Sequence, residues 1–295
     1  MPSSSTPDIE AFADSLERDR AQAYDPAPHA ATLTAAAGLP AVRVVAEGDS
    51  WFSYMPPNDV LSCLRTSDWG DRRYRVHDRA KAGGLLNDMV YGRDMVDTYE
   101  LLRAYPPDVF LFSGGGNDIA GPELFCMLHH RQAVLLNGDL PAVNHKALHG
   151  IVTEVVGGAY RDLVRLIRIQ AARIGKPELP IVLHGYDYAI PDGRGWGWFQ
   201  GAGPFPGPWL DPSLTRKGYD REEHAGVRQQ IVVALIDAFN AAVAEVAASN
   251  PHVHHVDLRG TLVGVAQWAN ELHPTREGFR AVTQKIESRI RAVTP

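Results

Sequence analysis

Four short strings carry residue types from which acyl chemistry can be assembled: AEGDSW at 46–51, AKAGG at 80–84, SGGGNDI at 113–119 and NELHPT at 270–275. Ser50 follows Gly48 by two residues at the end of an apolar run, so it can sit in a tight turn with an exposed hydroxyl and neighbouring backbone donors, a geometry suited to a nucleophile. The same position would also serve Asp49 or Ser50 as a helix cap. Asn117 follows a glycine string that could cradle an anion; the string lacks the Lys-Ser/Thr ending of a P-loop and the spacing of a dinucleotide fingerprint. Its amide could donate to a developing oxyanion, or cap the following helix. His273 precedes Pro274 and a helix start near Thr275, a rigid turn that suits a general base or a packing residue. His252, His254 and His255 do not form a ligand triplet, because alternation along a strand sends neighbours to opposite faces, and no HExxH spacing occurs. No metal is expected.

The elements that must position these residues alternate regularly. Val42, Val44, Val45 and Ala46 form a first strand. YRVHD near 74–78, VFLF at 109–112, the apolar run at 181–183 and HVHHV near 252–256 supply four more. Helical stretches at about 84–104, 146–175, 222–249 and 275–291 lie between or after them, long enough for crossovers between parallel strands. The runs at 109–112 and 181–183 are continuously apolar, as expected when helices cover both sheet faces. In an open parallel sheet the ligand site lies beyond the carboxyl ends of the strands. Ser50, Asp78, Gly83, Asn117, Asp118, His184, Asp187 and Asp257 all follow strands. Residues 1–38 read as a helical extension packed on the core, 39–295 as a single catalytic domain, and 185–221 as a Gly/Pro/aromatic-rich loop insertion.

The four strings, in this chain order, resemble the GDSL or SGNH hydrolase family, over residues 44–280. The resemblance implies a flavodoxin-like three-layer α/β/α sandwich with a central parallel sheet in the order 2-1-3-4-5. It also implies ester hydrolysis without a metal or organic cofactor, on acyl-ester or carbohydrate O-acetyl substrates. Carried onto this chain, the nucleophile falls on Ser50 and the general base on His273. The oxyanion donors are the Ser50 and Gly83 N–H groups, with Gly84 as the alternative to Gly83, and the Asn117 amide. The chain departs from the family at the acid, three residues before the histidine, where Asn270 stands. Asn270 could orient the imidazole without a charge, Asp257 could reach it from the last strand, or Glu271 could be displaced into the role; Asp257 is preferred among the charged choices because it follows a buried strand. Trp51, Asp187, Trp196 and Trp198 are the expected substrate contacts, with His184 a further rim candidate.

Composition narrows the function classes. The 295 residues carry 29 Lys+Arg against 35 Asp+Glu, a net charge of −6, so the global positive field of a nucleic-acid-binding protein is missing. The basic interval from Arg65 to Lys81 is interrupted by acids and reads as solvated loop positions or as substrate-side charge. Twenty-seven glycines and 21 prolines indicate long ordered loops. Cys63 and Cys126 read as core thiols. No window of eighteen or more apolar residues is found, and no signal-peptide pattern opens the chain, so a cytoplasmic protein without integral membrane association is expected. The expected partner is a small-molecule or glycan ester. The alternatives are a noncatalytic carbohydrate- or acyl-binding protein on the same scaffold, and an acyltransferase.

Overall fold

A computed structural model describes residues 40–54, 58–195 and 207–295. The N-terminal extension at 1–38 and the loop residues Trp196 and Trp198 lie outside them. Five strands form one sheet: β1 (Ala41–Gly48), β2 (Arg73–Asp78), β3 (Val109–Ser113), β4 (Ile181–His184) and β5 (Val253–Val256). Their order is β2-β1-β3-β4-β5 and every pair is parallel, with Val44 opposite both Val76 and Val109, and Phe110 opposite Ile181. Every residue of β3 and β4 is buried, so these strands need no polar face and their sequences show none.

Six helices make the outer layers: α1 (Val60–Thr66), α2 (Leu86–Tyr91), α3 (Arg93–Ala104), α4 (Gly157–Arg173), α5 (Ala225–Ala248) and α6 (Arg276–Val293). One face of the sheet carries α1 and α6; the other carries α3, α4 and α5. Shorter helical turns fill the connections. The continuous helix expected at 84–104 is broken at Gly92, whose extended backbone ends α2 and begins α3. The stretch expected as one helix at 146–175 starts as a helical turn at His145–Leu148, widens into a π-helix over His149–Val156, and continues as α4. The helix α5 is long and apolar enough to cross a membrane by length and composition; here it packs on β4 and β5, and 56% of its most apolar window is buried. One buried apolar cluster runs from Val42 to Ile290. Cys63 belongs to it, whereas Cys126 is exposed, contrary to the expectation of two core thiols.

The connections fix where chemistry can occur. From β1 the chain crosses to β2 on one side of it, and then to β3 on the other, so the carboxyl ends of β1 and β3 flank the point where the winding reverses. A crevice opens at such a point because the two adjoining loops leave in opposite directions.

Candidate active site

Ser50 and Asn117 lie on the two loops beside that crevice. Gly48 ends β1 under tight constraint: a Cβ there would come within 2.8 Å of the Phe52 ring and 2.9 Å of the Ser113 carbonyl oxygen. The Asp49 N–H donates to that carbonyl at 2.9 Å. The Asp49 carboxylate accepts from the Trp51 N–H at 3.0 Å, from the Ser113 hydroxyl at 2.8 Å and from the Tyr186 hydroxyl. Three partners on three segments therefore lock the turn that presents Ser50, so Asp49 is a brace and the Ser50 side chain is left for other work. The Ser50 N–H makes no hydrogen bond among the described residues.

His273 meets Ser50 directly. Its Nε2 lies 2.7 Å from the Ser50 Oγ, and its Nδ1 lies 2.9 Å from the Asn270 Oδ1. The same Oδ1 accepts from the backbone N–H groups of Leu272 at 3.0 Å and His273 at 2.9 Å, which identifies it as the amide oxygen. Facing an acceptor, Nδ1 must carry the proton, so Nε2 presents its lone pair to the Ser50 hydroxyl. His273 is buried, and burial pushes its pKa down to about 3, keeping the imidazole neutral at ordinary pH. The Trp51 indole N–H donates to the Leu272 carbonyl at 3.0 Å, tying the serine turn to the histidine loop.

Asn270 thus occupies the position beside the imidazole, and the preference for Asp257 among the charged alternatives is corrected. The Asp257 carboxylate is engaged by the Arg259 side chain, at 2.9 and 2.7 Å, and by the Arg259 N–H at 3.0 Å. An arginine two residues along a tight turn reaches the carboxylate before any distant partner can. Glu271 is also elsewhere: one carboxylate oxygen accepts from Gly193 and Asp211 N–H at 3.0 and 3.2 Å, the other from Trp209 and Leu210 N–H at 2.7 and 2.8 Å. It draws the two described ends of the 185–221 insertion onto the histidine loop. Burial raises its pKa against the opposing pull of these donors.

On the far side of the crevice, Gly83 has a left-handed backbone, φ +78°, and its N–H makes no hydrogen bond among the described residues. The Gly84 N–H is spent on the Lys81 carbonyl at 3.1 Å, so of the pair it is the Gly83 N–H that has no partner among the described residues. Asn117 donates one amide hydrogen to the Gly84 carbonyl at 3.0 Å, so this contact orients a second hydrogen rather than a helix cap. The following Asp118 accepts from the Leu86 N–H at 3.2 Å, and its pKa is raised to about 6, mainly by burial.

Two expected contacts have mainly structural work. The Asp187 carboxylate accepts from Tyr188 and Gly260 N–H at 2.7 Å each and from Leu262 N–H at 2.6 Å, which fastens the loop after β5. His184 is fully buried against Trp51 rather than on a rim, with its Nδ1 2.7 Å from the Gly185 carbonyl, because β4 is covered on both faces. Trp51 is itself 3% exposed. Both Trp51 and Asp187 nonetheless border a cavity of about 40 Å³ beside Ser50 and Asn117, whose apolar wall includes Ile119, Leu210, Val232, Ile236 and Leu272. The sequence patterns missed that wall, which α5, the insertion, the turn after β3 and the histidine loop build together. Among the described residues, Asp220, Glu223 and His224 bring ligand atoms within metal-binding reach of one another; they share no residue with this site.

No family model and no curated protein matches this chain. Among solved structures, the chain is similar to the lipase Lip_vut3 from a goat rumen metagenome, at 13% identity and a TM-score of 0.49, over 84% of this chain and 96% of that one. It is also similar to a family 3 carbohydrate esterase from Clostridium thermocellum, at 14% identity and a TM-score of 0.46, over 86% and 100% of the two chains. The five parallel strands in the order 2-1-3-4-5, with helices on both faces, are the sheet order and layering that the resemblance in the sequence implies.

Proposed function

We propose that the protein is a serine ester hydrolase acting through a Ser50 acyl-enzyme. The observation that carries this reading is the continuous hydrogen-bonded chain from Ser50 through His273 to Asn270, with the imidazole in the tautomer that can accept the serine proton. In the reaction, His273 Nε2 takes the hydroxyl proton as the Ser50 Oγ attacks the ester carbonyl. The Ser50 and Gly83 N–H groups and the Asn117 amide receive the oxyanion. The imidazolium then protonates the departing alcohol, and water repeats the sequence on the acyl-enzyme.

The cavity supports a small acyl group. About 40 Å³ beside Ser50 accommodates three or so water-sized groups, at roughly 10–15 Å³ each. Aliphatic side chains line one part of it and the carboxylates of Asp49 and Asp187 border another, a lining that disfavours an anionic acyl group. Esters of short, unbranched acyl chains, O-acetyl groups included, match this space. Hydrolysis of p-nitrophenyl acetate, butyrate and octanoate by the wild type and by Ser50→Ala tests the reading. Turnover that falls with chain length and vanishes in Ser50→Ala supports it. Absence of turnover by a folded wild type, or turnover that survives the substitution, contradicts it.

A further inference from the structure

A neutral residue beside the catalytic imidazole leaves a chemical problem. When His273 takes the Ser50 proton it becomes a cation in a buried place, and Asn270 has no charge to offer it. The Asn270 Oδ1 is also shared among three donors, the two backbone N–H groups and the imidazole. What the histidine has instead is an aromatic face. The Tyr54 ring lies nearly parallel to the imidazole, centroids 4.4 Å apart and planes 20° apart. The Tyr54 hydroxyl accepts from the Asn270 Nδ2 at 3.0 Å. That hydrogen bond draws electron density through the amide toward Oδ1, the atom that holds Nδ1. The ring face offers negative quadrupole potential to the imidazolium, and burial keeps water from screening it. Tyr54 is itself buried, and its N–H bonds Asp59, the residue that caps α1, so its placement is anchored independently of the histidine loop.

We propose that Tyr54 is a positioning residue that completes the Ser50–His273–Asn270 relay, its ring stacked on the imidazole and its hydroxyl holding the Asn270 amide, in place of a carboxylate. This rests on the Ser50 acyl-enzyme reading. The two parts of the side chain act on the same event: the ring favours the cation over the neutral imidazole, and the hydroxyl sets the acceptor strength of the neutral residue behind it. A carboxylate at 270 would supply charge directly and make both contributions less necessary.

That compensation is the test. The rate of covalent labelling by a fluorophosphonate, counted per labelable site, is measured for the wild type, Tyr54→Phe and Tyr54→Leu. The same substitutions are then made in Asn270→Asp, with kcat and KM for p-nitrophenyl acetate measured alongside. From the range for a desolvated cation beside an aromatic face, Tyr54→Leu lowers the per-site rate and kcat by about tenfold and leaves KM within about twofold. Tyr54→Phe, which keeps the ring, loses less. In the Asn270→Asp background the Tyr54→Leu loss shrinks to less than about threefold. A purely structural Tyr54 would lower the number of labelable sites or the thermal midpoint in both backgrounds, without this dependence on residue 270. Equal losses in the two backgrounds, or no loss per site, overturn the inference. Tyr54→Phe, close in shape to the original, carries the same comparison should Tyr54→Leu fail to fold. If the wild type is not labelled at Ser50 at all, the acyl-enzyme reading itself has failed.

Discussion

Glu271→Gln separates a structural clamp from a catalytic acid. Each carboxylate oxygen of Glu271 accepts from two backbone N–H groups: Gly193 and Asp211 on one, Trp209 and Leu210 on the other. A glutamine amide can satisfy only one of these pairs; its NH2 group faces the second pair donor to donor. Two backbone N–H groups then lose their partner, at about 1–3 kcal/mol each, so a loss of about 4 kcal/mol is expected. At roughly 2 °C per kcal/mol for a large domain, the thermal midpoint falls by about 8 °C. The imidazole keeps Asn270, so the per-site rate of fluorophosphonate labelling, measured well below the midpoint, falls less than about tenfold, the scale of a disturbed orientation rather than a lost relay member. Calorimetry or circular dichroism reads the first quantity and active-site titration the second. A midpoint within about 1 °C of wild type refutes the clamp, since even one unsatisfied donor costs more than that. Loss of labelling with unchanged stability would instead return Glu271 to the role of acid.

The remaining expectations concern the base, the oxyanion and the acyl wall. Burial holds the folded-state pKa of His273 at about 3, so between its unfolded value of about 6.5 and pH 3 the unfolded chain binds the proton first. Stability attributable to this residue is therefore intact above about pH 6.5 and lost as pH falls toward 3, by at most about 5 kcal/mol. Urea unfolding of wild type and His273→Gln across this range should converge at low pH; parallel curves contradict the sign. Asn117→Ala removes one oxyanion donor and should lower kcat by a hundredfold or more, about 3 kcal/mol, with little change in KM. A fall of less than about fivefold would remove Asn117 from the oxyanion hole. Ile236→Ala enlarges the cavity wall and should move the preferred p-nitrophenyl ester from acetate toward butyrate or longer, at about 2–5 kcal/mol of stability. An unchanged chain-length profile would place the acyl group elsewhere.

Much of this site can be read from the chain because its parts follow strands. Ser50 and Asn117 each come shortly after a recognisable apolar run, so the sheet order brings their loops together, and His273 stands on a proline turn before a capped helix, tied across to the serine turn by the Trp51–Leu272 hydrogen bond. What could not be read depends on loop meeting loop. The partner of Asp257 is set by the local reach of Arg259, not by the burial of the strand it follows. Glu271 points away from its neighbours Asn270 and His273 because four backbone donors from the insertion capture it. Tyr54 has no motif to mark it, and its stacking on His273 is held by its N–H bond to Asp59, the cap of α1. His184 departs from expectation for the opposite reason: a polar residue at a strand end suggests a rim, but β4 is covered on both faces to its last residue.

The central claim is that Ser50 Oγ, activated by His273, forms the covalent intermediate. Peptide mapping by mass spectrometry after fluorophosphonate treatment tests it most directly. The adduct is expected on the peptide containing Ser50, and is expected to be lost in Ser50→Ala and strongly slowed in His273→Ala. An adduct on another residue, or one that forms at the wild-type rate without His273, would contradict the account.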